Sequence, residues 1–319
     1  MKVEDIRAAG VMGAGTMGAG VAGELARAGI EVRLMDVDQQ RLDHGLEIIS
    51  KAQQGLVDAG RLSARKAKQA AARISATTSV EAACDGVLLV IEAVSEDLPL
   101  KRKLFRRFDE CCPRRAILAS NTSGLSITKI AGAVTKQTRV AGLHFWNPPH
   151  IIPLVEVTKG SSTSAATART LMDLCRKLGK RPILVRHDIP GFVGNRLQFA
   201  VLREALHLLN EGVASAEDID AAMTGGPGLR WAFMGPLRTA DLGGLDVFHA
   251  ISQYMFAELS DEKKPNGVLP ELVERGNRGA KSGRGFYRYA GGDLGETVSQ
   301  RDRVLMRFLD ALREEVGGP

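Results

Sequence analysis

The chain has 319 residues, 44% of them hydrophobic and 25% charged, with a formal net charge of +6. That length accommodates about two ordinary domains, and the composition is that of a soluble globular protein rather than a disordered or fibrous one. The mild basicity comes without an aromatic-rich basic stripe, so it gives no nucleic-acid signature, and no apolar run is long enough to span a bilayer.

The opening MKVEDIRAAGVMG has acids at Glu4 and Asp5 and lacks the features of a signal or transit peptide, so a cytoplasmic protein is expected. IRAAGVM (6–12) reads as a strand ending in glycines, MGAGVAGELARAGI as a helix, and EVRLMD (31–36) as a second strand. Residues 39–74, rich in Ala, Leu, Lys and Arg, read as helical. GVLLVIEAV (86–94), AILAS (116–120) and RVAGLHF (139–145) are apolar runs of buried-strand length. This alternation predicts an α/β fold with a Rossmann-type, doubly wound, mostly parallel sheet covered on both faces.

After RPILVRHDIPGF (181–192) strands give out. FVGNRLQFAVLREALHLLNEG (192–212) has helical spacing and closes at Gly212, and Ser215 with Asp218 forms a capping-box signature for the next helix. LRTADLGGLDVFHAISQYMFAEL and SQRDRVLMRFLDALREEV also read as helices. The predicted division is a Rossmann domain over 1–188 and an all-α C-terminal domain over 189–319. Cys84, Cys111, Cys112 and Cys175 have neither zinc-type nor CxxC spacing, so reduced thiols and no metal are expected.

GAGTMG (13–18) matches G-x-G-x-x-G, with a strand before it, a helix after it and Asp36 closing the second strand. Gly13 permits the tight turn, Gly15 lets the backbone approach a pyrophosphate, and Gly18 allows close helix–strand packing. The helix N-terminus that carries Thr16 and Met17 offers free N–H groups to the phosphates. Asp36 suits the adenosine ribose hydroxyls and would repel a 2′-phosphate, which favours NAD, although Arg33 and Arg41 lie close by.

Four further polar clusters fall at predicted strand ends: EAVSED (92–97), SNTSGL (120–125), GLHFWNPPHIIPLVEV (142–157) and DIPGFVGNR (188–196). Together with GAGTMG and KSGRGFYRY (281–289), this ordered set resembles the L-3-hydroxyacyl-CoA dehydrogenase family over nearly the whole chain. The resemblance implies a two-domain enzyme, dimeric through its helical domain, that oxidises a secondary 3-hydroxyl with NAD.

Such an oxidation needs a base for the hydroxyl proton, and histidine titrates near working pH. A carboxylate on the other ring nitrogen fixes the tautomer and stabilises the imidazolium. His144 and Glu156 lie twelve positions apart, on two short predicted strands joined by a proline-containing loop. By resemblance His144 is the acid/base and Glu156 its partner, while Ser123 and Asn195 bond the substrate oxygen or acyl carbonyl. Taken alone, either of those two would serve equally well as a helix cap. By the same resemblance Asn147 holds the His144 region or the substrate, Glu96 lies near the nicotinamide, and Lys101 and Asn121 lie at the cofactor, although Glu96 and Lys101 by themselves read equally as solvated surface charges. His150 is left as a loop or substrate-entry residue.

Substrate choice stays open in the sequence. Lys51, Arg61, Arg65, Lys66, Lys68 and Arg73 suit CoA phosphates and equally a solvated helix face. WNPPHIIP and GPGLRWAFMGP (226–236) depart from the fatty-acyl pattern, and similar NPP loops occur in relatives acting on gulonate, carnitine or pyridine carboxylates. In such a reading Arg230 grips a free carboxylate in a bidentate fork, and it would serve equally as a surface or interdomain arginine. The leading expectation is an L-3-hydroxyacyl-CoA dehydrogenase. The alternatives are a dehydrogenase of a small hydroxy acid and an idle NAD-binding structural protein. Neither nucleic acid nor membrane is expected as a partner.

Overall fold

The structure, a computed structural model, describes residues 1–289 and 294–316. The chain packs as two compact units, Met1–Arg196 and the stretch from Leu197 onward. The first unit runs β1 (Ala8–Met12), α1 (Thr16–Arg27), β2 (Glu31–Met35), α2 (Gln39–Asp58), α3 (Ala64–Ala71) and β3 (Ile74–Thr77). It continues with α4 (Val80–Cys84), β4 (Leu89–Glu92), α5 (Leu98–Cys111), β5 (Ile117–Ser120), α6 (Ile127–Ala131), β6 (Val140–Phe145), β7 (Leu154–Thr158), α7 (Ala165–Lys177) and β8 (Arg181–Val185).

The region read as one helix over 39–74 is two. Asp38 caps α2 by accepting from Arg41 N at 2.8 Å, Gly60 turns the chain at φ +71, and Ser63 caps α3. The short strand β3 follows, and its half-exposed ISAT lacks the apolar pattern that betrays a strand.

The eight strands lie in the order β3-β2-β1-β4-β5-β6-β7-β8, and every pairing is parallel except β6 with β7. Strand order reverses between β1 and β4, which opens a crevice beyond the carboxyl ends of the strands. Each face carries its own core. Leu89, Ile91, Ala141, Leu143, Phe145, Val155 and Val157 pack on one side with α1 and α7, whereas Val90, Leu118, Val140, Phe105 and Phe192 pack on the other. Because side chains alternate along a strand, His144 and Glu156 fall on the face opposite Leu143, Phe145, Val155 and Val157.

Cys84 meets the adjacent pair Cys111 and Cys112 in the second core, the three sulfurs lying within 4.8 Å of one another. All four cysteines are free thiols.

α8 (Gly194–Asn210) leads into the second unit, whose described residues form α9 (Ala216–Gly225), α10 (Pro227–Trp231), α11 (Gly235–Gly243), α12 (Leu245–Glu258), α13 (Val268–Glu274) and α14 (Leu294–Val316). Ser215 Oγ caps α9, accepting from Asp218 N at 3.1 Å and donating to Asp218 Oδ2 at 2.8 Å. The stretch 237–259, read as one helix, breaks at Gly243–Gly244, where Gly244 adopts φ +93. Among the described residues the second unit has no strand, only isolated bridges at Gly279, Arg284 and Arg288.

Candidate active site

The glycine loop follows β1. Gly13 has φ +104 and donates its amide to Met35 O at 2.7 Å, which binds the turn to the end of β2. A Cβ on residue 18 would fall 1.8 Å from Gly13 O, so only glycine lets α1 close on the loop. A Cβ on Gly15 would meet nothing within 4 Å. That open side, next to exposed Gly15 and Thr16 at the N-terminus of α1, has the room and the free N–H groups a pyrophosphate needs. Met17 is half-buried and packs against the core. Asp36 Oδ2 accepts from Ala14 N and Oδ1 from Val37 N, each at 2.7 Å, and Arg41 Nη1 stands 3.9 Å from Oδ1. The carboxylate thus lies beside the glycine loop, and this set of residues fits a dinucleotide.

The β6–β7 hairpin sets His144 opposite Glu156 in register. His144 Nδ1 lies 2.8 Å from Glu156 Oε2. Glu156 is fully buried, yet four N–H groups converge on it: those of His144 and of Trp146 Nε1 (3.2 Å) on Oε2, and the amides of Val193 and Gly194 (both 3.0 Å) on Oε1. Burial works against its charge, but the hydrogen bonds from His144, Gly194 and Val193 outweigh burial and hold the carboxyl below the ordinary glutamate range. An ionised carboxylate only accepts, so Nδ1 carries a proton, and in the neutral ring Nε2 is the nitrogen with the free lone pair. The two amides come from a turn with Gly191 at φ +77 and Phe192 at φ +50. A left-handed phenylalanine costs on the order of 1–3 kcal/mol. Complete burial of its ring against the sheet offsets that cost.

A second network stands at the ends of β4 and β5. Glu92, fully buried, accepts from Ser120 Oγ at 2.6 Å, Lys101 Nζ at 2.6 Å and Val94 N at 2.8 Å. Lys101 is only 1% exposed and also bonds Val94 O at 3.2 Å, with Glu96 Oε2 at 3.4 Å. Lys101 therefore differs from the expectation of a cofactor contact: at the first turn of α5 it points back into the sheet end, where its charge is already neutralised. Glu96 accepts from Thr122 Oγ1, from Ser123 N at 3.0 Å and from Ser123 Oγ at 3.2 Å. Burial raises its proton affinity, but the Thr122 hydroxyl, Lys101 and the Ser123 amide prevail and keep it below the usual glutamate value. Asn195 Nδ2 donates to Ser123 O at 2.9 Å, so these two predicted residues are joined. Asn121 commits its side-chain oxygen to Phe145 N at 2.8 Å, tying β5 to β6.

Glu92 is the residue that sequence reading missed. It sits in GVLLVIEAV as Glu156 sits in LVEV, an acid inside an apolar run, and the same argument of costly burial applies to it. Asp188, at the proposed domain boundary, anchors that segment by accepting from Ser126 Oγ and Thr128 N, each at 2.7 Å.

The WNPPHIIP loop is strapped to α1. Pro149 fills the space a Cβ on Gly20 would occupy, and Lys180, buried, donates to Pro149 O and to Ile152 O at 3.2 Å while pairing with Glu24 at 3.0 Å. Asn147 is exposed, precedes a cis peptide to Pro148, and is followed in the loop by half-buried His150. Arg65, Lys66 and Lys68 lie exposed on α3, and Arg230 lies exposed on α10 in the second unit. No described helix is long and apolar enough to cross a membrane.

Comparison with known proteins follows the same lines. The pattern of the 3-hydroxyacyl-CoA dehydrogenase NAD binding domain matches residues 8–189, and that of the 3-hydroxyacyl-CoA dehydrogenase C-terminal domain matches 191–289. A probable 3-hydroxybutyryl-CoA dehydrogenase of Bacillus subtilis is 40% identical over 89% of this chain and 98% of its own. The 5-formyl-3-hydroxy-2-methylpyridine 4-carboxylate 5-dehydrogenase of Mesorhizobium japonicum is 35% identical over 94% of this chain and 96% of its own. A crystal structure of an enzyme of that activity, called an NAD+-dependent dismutase, superposes with a TM-score of 0.89 at 34% identity, covering 97% of this chain and 99% of its own. The (S)-3-hydroxybutyryl-CoA dehydrogenase of Ralstonia eutropha superposes at 0.74 with 36% identity, covering 89% and 99%. With both halves matched in order, and with a glycine loop shaped for a dinucleotide, the chain belongs to the 3-hydroxyacyl-CoA dehydrogenase family.

Proposed function

We propose that the chain oxidises the 3-hydroxyl of an L-3-hydroxyacyl-CoA reversibly, with NAD as the redox partner. The observation that carries this reading is the buried Glu156, ionised and bonded to His144 Nδ1 at 2.8 Å. NAD, when bound, supplies the hydride acceptor, and Gly13, Gly15, Thr16, Met17, Gly18 and Asp36 are the residues assigned to hold it. His144 Nε2 takes the substrate hydroxyl proton, and Glu156 stabilises the resulting imidazolium. The Val193 and Gly194 amides keep the carboxylate from turning away as that charge develops. Ser123 and Asn195, already linked to each other, are assigned to the substrate oxygen, with Asn147 beside them. The Ser123 hydroxyl reaches that oxygen by rotating away from Glu96. The exposed cations of α3 suit CoA phosphates.

A second reading, oxidation of a free hydroxy carboxylate with Arg230 as its anchor, is favoured by one observation. The pyridine-carboxylate dehydrogenase covers 97% of this chain at a TM-score of 0.89, against 89% and 0.74 for the hydroxybutyryl-CoA enzyme.

Purified protein and NADH, assayed against acetoacetyl-CoA and against a panel of free keto and pyridine-aldehyde carboxylates, separate the readings. Turnover of the thioester alone supports the first, and turnover of free acids alone replaces it with the second. NADH binding without any turnover assigns the protein to an idle, structural role. A cytoplasmic location, a place in fatty-acid metabolism and a homodimer through the helical unit complete the proposal. Exposed apolar side chains on its helices support the dimer, among them Phe199, Leu237 and Phe256.

A further inference from the structure

Neither the glycine loop nor the acid–base pair accounts for Trp146. Its indole Nε1 donates to Glu156 Oε2 at 3.2 Å, the same oxygen that accepts from His144 Nδ1 at 2.8 Å. The two rings stand 5.5 Å apart at an angle of 52°. The six-membered edge of the indole rests on Gly194, where a Cβ would fall 2.4 Å from Cζ2. Gly194 in turn donates its amide to the other oxygen of Glu156 at 3.0 Å. The indole is thus held at one end by a seat that only glycine provides and at the other by a hydrogen bond. A phenylalanine would fill the seat and lose the donor.

We propose that Trp146 is a positioning residue for the oxidation, its N–H sharing Glu156 Oε2 with His144 and so limiting how tightly the carboxylate holds the imidazole proton. An oxygen that already accepts one N–H offers less negative charge to a second. Without the indole donor the full charge of Oε2 faces His144, the imidazolium is stabilised, and the protonated ring persists to higher pH. A base works only when neutral, so the acidic limb of the oxidation profile moves upward in the same direction.

Among the described residues Glu156 is the charged group bonded to the ring, while Glu96 is committed to Thr122, Ser123 and Lys101. β5 (ILAS) has no ionisable side chain, and Lys129, the one on α6, is exposed. α7 packs on the opposite face of the sheet. From the turn before α8, Phe192 faces the imidazole at 6.0 Å, and Arg196 reaches toward the Pro190 carbonyl at 3.5 Å.

The kinetic part of this inference rests on the base role given to His144, and the test keeps the two apart. Trp146 is replaced by benzothienylalanine, which keeps the ring shape and exchanges the N–H for sulfur, and separately by phenylalanine. The His144 resonance is followed by NMR in histidine-labelled protein, assigned by its loss in His144→Gln, alongside the pH dependence of kcat/KM. Both the titration and the acidic limb are expected to move up by about half a unit or more in each variant, the scale of one lost hydrogen bond to the charged partner. A titration that stays in place in the benzothienylalanine protein overturns the proposal. A titration that moves while the rate profile stays leaves the contact standing and overturns the base role of His144.

Discussion

The carboxylate of Glu156 is surrounded by N–H donors, two on each oxygen, and its burial makes each of them count. Removing the imidazole from this arrangement leaves the carboxylate in place with three donors, so the fold and the cofactor loop are spared. His144→Gln is expected to keep NADH affinity, measured by fluorescence titration, while turnover falls by a factor of roughly 100 or more. Near-wild-type turnover would remove His144 from the chemistry. At the other end of the site, Asp36 ties the glycine loop to β2 through Ala14 N and stands beside Arg41. Asp36→Ala is expected to weaken NAD and to narrow the preference over NADP, since both the acceptor for ribose hydroxyls and the repulsion of a 2′-phosphate disappear. Equal ratios of NAD to NADP affinity in variant and parent would count against the ribose contact. His144, Glu156 and Asp36 were all visible in the sequence, each a polar residue closing or interrupting an apolar run. Lys101 was visible as well, but its destination was not. A charge one turn into a helix looks the same whether it faces a phosphate or a buried glutamate.

At the scale of elements, the sheet is held at its carboxyl edge by polar links between neighbouring strand ends. Glu92 of β4 takes Ser120 of β5 and Lys101 of α5, and Asn121 takes the amide of Phe145 at the end of β6. Lys101→Met leaves Glu92 buried without its cation, a loss of about 3–5 kcal/mol in stability by urea unfolding. It also frees Glu96, so a second effect on turnover is expected. A variant as stable as the parent would mean that Glu92 finds another partner. The hairpin β6–β7 shows how far pattern reading reaches. Alternation in GLHF and LVEV puts both polar residues on one face, and the proline loop between them implies a return of the chain. The loop's second half was not legible. Pro149 packs on Gly20 and Lys180 fastens two loop carbonyls, so this part of WNPPHIIP braces the site against α1, while Trp146 at the start of the loop bonds Glu156. The strand β3 and the breaks at Gly60 and Gly244 escaped for a similar reason: helix and turn propensities overlap, and packing decides between them.

For the molecule as a whole, the second unit is helical and carries large apolar side chains at the surface, Leu237 at 82% and Phe256 at 74% exposure. Such faces are costly in water, and a partner copy covering them is the expected remedy. Light scattering of the purified protein should give about twice the 34.2 kDa of one chain, and a monomer at micromolar concentration would end that proposal. The strand–helix alternation around the dinucleotide loop, the loop itself and the acid–base candidates follow from the sequence, because hydrophobic periodicity and turn chemistry are local properties. Only the tertiary structure decided which groups meet: that Val193 and Gly194 donate to Glu156 from 37 and 38 residues away, that Lys101 is consumed by Glu92, and that Trp146 shares an oxygen with His144. Those contacts depend on where the chain returns after long intervals, and the energy that selects among the possible returns is that of the packed core.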